Sequence, residues 1–149
     1  MSNEIALMRE IAILQNQIDA LRTIQQGWQP VFLSSPLTST SWDGDSFSTT
    51  AKTLIDLSAV FSAPAGIKAI SVFVRLNDSA SASANYWMVL SPVDTANVGI
   101  FFQCSEINDR HRYGTGIIPC DANGDIYYQI SASGANTLDA LIRIVGYWR

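Results

Sequence analysis

The 149-residue chain predicts a mainly β protein: an antiparallel β-sandwich of jelly-roll type behind an N-terminal α-helical coiled coil. Three observations carry this. Apolar residues near the N-terminus recur at alternating steps of four and three, the period of a helical seam. From Gln29 onward the period changes to two, in short runs separated by turn clusters. No helix-length pattern interrupts those runs, which argues against a parallel α/β sheet.

Residues 3–26 contain no Pro or Gly and many strong helix formers, and Ser2 or Asn3 supplies a cap. Ile11 and Ile18 fall at heptad position a, and Leu7, Leu14 and Leu21 at d. Gly27 ends the helix and Pro30 prevents its return. Ile at a with Leu at d favours two strands, while the weakly polar flanks at Gln15, Gln17 and Ile24 leave three open. A lone helix of about three heptads is marginal in water, so self-association is expected to bury the seam. The boundary is placed at residues 27–30, giving an oligomerisation helix over 1–27 and a head over 28–149.

In the head, strands are expected near Val31–Leu33 and Phe47–Thr50, with residues 34–50 otherwise a loop or loose edge. "TLIDLSAVF" alternates about Ile55 and Leu57, and "GIKAISVFVRL" puts Ile70, Val72, Val74 and Leu76 on one face. "NYWMVLS", "VGIFFQCS", "YGTGII" and "DIYYQIS" continue the series, with Trp87 expected in the core and Tyr127 and Tyr128 on opposite faces. The last run, "TLDALIRIVGYW", places Leu138, Ala140, Ile142, Ile144 and Trp148 on one face. Leu141, Val145 and Tyr147 lie on the other with Arg143. A strand apolar on both faces is expected to be covered on both, so Val145, Tyr147 and Trp148 are expected between subunits or in the core, and join Leu7, Ile11, Leu14, Ile18 and Leu21 as candidate oligomerisation residues.

Charged residues make up 15% of the chain and the net charge is −4, which argues against a nucleic-acid binder. No apolar run is long enough for membrane insertion, and Glu4, Arg9 and Glu10 interrupt any signal-peptide core. Cys104 and Cys120 read as two half-buried thiols or as one cross-strand disulfide. His111, the single histidine, sits in "NDRHRYG" without a convincing triad partner or nucleophile elbow, so no catalytic residue is expected. In "DANGD", Asp121, Asn123 and Asp125 alternate as at the start of a calcium loop, but the glycine is out of register for an EF-hand. Asn123-Gly124 reads instead as a type I′ turn. No metal or cofactor is therefore expected. An exposed Trp42 beside Asp43 and Asp45 suits a sugar, and Arg110, His111 and Arg112 form a second candidate contact.

The layout of a short coiled coil and a Ser/Thr/Ala-rich sandwich closing in "GDIYYQISASGANTLDALIRIVGYWR" resembles fibre, tail-fibre or decoration proteins of tailed bacteriophages. The resemblance implies a homotrimeric, non-enzymatic structural protein, made in the host cytoplasm and carried on the virion. Its partners would be copies of itself, other virion proteins and a host glycan or receptor. A stand-alone lectin-like module is the alternative; a jelly-roll hydrolase is disfavoured by the lone histidine and missing acid pairs.

Overall fold

The computed structural model describes residues 2–25, 27–39, 42, 51–80, 85–96 and 98–149, with helix side chains over 7–19. Helix α1 spans Ser2–Gln25. Eight strands follow: β1 (Pro30–Thr38), β2 (Thr53–Ile55), β3 (Ala69–Asp78), β4 (Trp87–Ser91), β5 (Ile100–Gln103), β6 (Arg112–Pro119), β7 (Ile126–Ser131) and β8 (Leu138–Trp148). A five-residue helix, α2 (Leu57–Phe61), sits between β2 and β3.

The strands form two antiparallel sheets, ordered β1-β8-β3-β6 and β2-β7-β4-β5. β1 pairs with β8, β2 with β7, β3 with β6 and β4 with β5. The chain is therefore one long hairpin with β4 and β5 at its tip, whose successive rungs fall alternately in the two sheets. The inward residues of β3, Ile70, Val72, Val74 and Leu76, are buried with Leu138, Ala140, Ile142 and Ile144 of β8. Met88, Leu90, Ile126, Tyr128 and Ile130 meet them from the second sheet. Tyr128 points inward and Tyr127 outward, half-buried.

Four local expectations are corrected. "TLIDLSAVF" is strand only to Ile55, because Asp56 caps α2: its Oδ1 accepts the Ala59 amide at 2.9 Å and the Ser58 hydroxyl at 2.7 Å. These hydrogen bonds hold the Asp56 carboxyl below its ordinary pKa. Residues 34–38 belong to β1, although Leu33–Pro36 breaks its register against β8. Trp87 is half-buried on the outer face of its sheet, edge-on to Phe101 at 5.1 Å, because Met88 takes the inward position. Finally, the two faces of β8 exchange near its end. Ser71 pairs with Gly146 but Val72 pairs with Ile144, so Val145 is an extra residue, a β-bulge that reverses the alternation. Tyr147 consequently lies in the core, 9% exposed, rather than with Leu141 on the outer face, and Trp148 turns outward. Of the two places expected for Tyr147, between subunits or in the core, the described chain puts it in the core. The expected strand at Phe47–Thr50 lies outside the described residues.

Candidate functional site

β6 is the edge of the first sheet and β5 the edge of the second, and the two rims meet on the side of the sandwich away from β1 and β2. Alternate glycines in β6 make this approach possible. A Cβ on Gly114 would lie 2.6 Å from Cδ1 of Phe102, and one on Gly116 would lie 3.3 Å from Cδ1 of Ile100. Phe102 therefore seats its ring directly on the β6 backbone. Replacing Gly114 by valine is expected to cost about 1–3 kcal/mol through overpacking, read as a lower urea midpoint; an unchanged midpoint would show that the ring has room.

The β4–β5 connection that places this rim is held by Lys52. Its ammonium donates to Ser91 Oγ at 2.6 Å, to the Val93 carbonyl at 3.2 Å and to the Val98 carbonyl. Burial lowers the Lys52 pKa and Asp94 opposes that shift. The β5–β6 loop is anchored by the Cys104 amide on the Tyr86 carbonyl (2.9 Å) and by the Ile107 amide on Ser105 Oγ (3.1 Å). Glu106, Ile107, Arg110 and His111 stay exposed.

Between the rims lies a cavity of about 230 Å³, floored by Val74 and Leu76 and walled by Phe101, Phe102, Gln103 and Tyr113. Arg112 lines it and also lines a neighbouring hollow of about 300 Å³ with Ser105, Glu106, Ile107 and Arg110. Tyr113 is 63% exposed and its ring lies 5.7 Å from that of Phe73. Exposed aromatic faces beside a guanidinium and an amide suit a planar or polyhydroxylated ligand, through stacking, cation–π attraction and hydrogen bonds.

The sequence-derived candidates divide. Arg110, His111 and Arg112 do come together at this rim, with the His111 ring 6.3 Å from Tyr113. Trp42 is not the exposed platform expected: it is half-buried, packed on the core and edge-on to Tyr128 at 5.3 Å. An indole has too much apolar area to stay out when a neighbouring groove beside Phe61 accepts it. Asp43 and Asp45 lie outside the described residues. Asp121 spends its carboxylate on the amides of Asn123 and Asp125, both at 2.9 Å, and Asp125 accepts the Leu57 amide at 2.9 Å. The loop is therefore a hydrogen-bonded turn. It is not type I′, since Gly124 is left-handed (φ +91°) but Asn123 is not. Among the described residues no group of three His, Cys, Asp or Glu is placed to hold a metal.

The thiols are free. Burial, reinforced by Asp78, pushes Cys104 up to about 12; burial, Asp121 and Asp125 do the same to Cys120. Neither is an activated nucleophile. The rim residues Phe101, Gln103 and Tyr113 escaped the sequence reading, although the Gly-x-Gly in "YGTGII" signals a close approach within a strand.

On α1, Leu7, Ile11, Leu14 and Ile18 are 44–58% exposed, and every described side chain over 7–19 is exposed. The Leu21 side chain lies outside the described residues. Among these residues no helix is long and apolar enough to cross a membrane. Comparison of the chain with models of known protein families and with curated proteins yields no match.

Proposed function

We propose that this chain is a non-enzymatic structural protein of a virion, a homotrimeric fibre or surface appendage. Its α1 helices form a coiled coil that assembles and attaches the protein, and its jelly-roll head offers the β5–β6 rim to a host glycan or receptor. The observation that carries the reading is α1: a heptad seam of Leu7, Ile11, Leu14 and Ile18 that its own chain leaves exposed. A lone helix of this length is marginal in water, and packing the seam against another apolar surface stabilises it. The jelly-roll assignment is supported by the strand orders β1-β8-β3-β6 and β2-β7-β4-β5, those of a rolled four-rung hairpin. The virion role draws its support from the layout of stalk and sandwich.

Light scattering of the full chain is expected to give three times the 16.3 kDa of one chain. Leu14→Asp or Ile18→Asp is expected to return it to a single chain, because a carboxylate buried in the seam costs several kcal/mol. A monomeric wild type overturns the assembly, and absence from purified particles overturns the virion role. The rim also favours a second reading, a free-standing lectin-like module. Glycan binding that Arg112→Ala abolishes, in a protein absent from particles, would select it.

A further inference from the structure

We infer that neighbouring heads meet through the β1–β8 corner of the first sheet, where Trp28, Phe32, Val145 and Trp148 pack on the same corner of a second copy of this chain. The inference rests on the coiled-coil reading of α1 and adds which surface of the head lies at the axis.

Phe32 is 83% exposed and Trp28 is 60% exposed, the former inside a strand. The register places Trp148 on the same side as Phe32, and Val145 is the bulge residue two positions before Tyr147 in the same strand. Pro30 pairs with Trp148 and Phe32 with Gly146, so the side chains of residues 30, 32 and 148 share the outer face. The bulge at Val145 is what brings Trp148 to that face. Without it, Trp148 would have pointed into the core.

The tether then fixes what can cover this corner. α1 ends at Gln25, while the Gln29 amide already donates to the Arg149 carbonyl at 2.9 Å and the Arg149 amide to the Gln29 carbonyl at 3.3 Å. The span from Gln25 to Gln29 reaches at most about 14 Å. Helices in a coiled coil lie about 8–10 Å apart. Each copy's corner is therefore held beside the stalk, next to the corners of its neighbours. β6 lies three strand spacings across the sheet from β1, roughly 14 Å further out. The same geometry leaves the β5–β6 rim free at the periphery.

The test uses the full chain with Phe32→Cys, probed by iodoacetamide, in the native seam and in an Ile18→Asp background. The native thiols give little background, since Cys104 is 1% exposed and both are weakly ionised. Alkylation of residue 32 is expected to be at least tenfold slower with the seam intact. Ile117→Cys, at the distal edge and 54% exposed in the native residue, is expected to react equally in both backgrounds. Equal rates at residue 32 in a protein whose mass is that of three chains overturn the inference while leaving the assembly standing. A single-chain mass with the native seam overturns both.

Discussion

A chain ending at Gly146 is expected not to fold. The three residues removed include Tyr147, which is 9% exposed in the core opposite Ile70 and Val31. They include Trp148, paired with Pro30 on one side and Ala69 on the other, whose carbonyl accepts the Lys68 amide at 2.7 Å. Arg149 closes the ladder on Gln29. An aromatic side chain buries about 150–250 Å², which at roughly 25 cal/mol per Å² is about 4–6 kcal/mol for a fully buried ring, an upper bound. Tyr147 contributes near that level, and the half-buried Trp148 contributes less. Their loss, with these three hydrogen bonds, approaches the whole of a typical margin of about 5–15 kcal/mol. The expected result is loss of the near-UV circular dichroism and of a cooperative melt. Tyr147→Ala alone is expected to lower stability by about 3–5 kcal/mol. A truncated chain that melts like the full one would show that the end of β8 is dispensable.

That last strand also shows how far the sequence could be read. Its apolar character on both faces is visible in "TLDALIRIVGYW", and so are the inward positions from Leu138 to Ile144. The exchange of Tyr147 and Trp148 is not, because a bulge is fixed by the partner strand: β3 supplies one residue where β8 supplies two. Seven β runs were legible from alternation and turn clusters, since both depend only on neighbouring residues. α2 was hidden because Ile55 and Leu57 fit a strand, and the Asp125 carboxylate that accepts the Leu57 amide is 68 residues away. The rim failed to appear for the same reason, as β5 and β6 belong to different sheets. The cluster Arg110, His111 and Arg112 is visible because charge concentrated over three residues is a local signal, although its last member opens β6 rather than lying in the loop. Trp42 was misplaced because its cover comes from Tyr128, distant in sequence.

Asp78→Ala is expected to produce the second large loss, about 3–5 kcal/mol, because one buried carboxylate ties together the loops after β3 and β7. Asp78 closes β3 and is 1% exposed. Its oxygens accept the Ala80 amide at 3.0 Å, the Ser133 amide at 2.9 Å and the Ser133 hydroxyl. Thr137 Oγ1 lies 3.0 Å from Ser133 Oγ and accepts the Gly134 amide at 3.0 Å. The Asp78 carbonyl takes the Asp109 amide at 3.2 Å, so the β5–β6 loop hangs from the same residue. Burial alone would raise the Asp78 pKa; the hydrogen bonds from Ser133, Ala80 and Thr137 overcome it and leave the group below its ordinary value. A depressed folded pKa means that the ionised carboxylate stabilises fully above the unfolded value of about 3.9, and that this contribution disappears as pH falls through the folded value. Asp78→Asn preserves the shape but not the charge. It is expected to cost about 1.5–3 kcal/mol near neutral pH, with the gap to wild type narrowing steadily below about pH 4. Urea midpoints of both proteins across that range provide the measurement. A gap that stays constant into acid would mean that the charge of Asp78 contributes nothing, and that the network is held by shape and neutral hydrogen bonds alone.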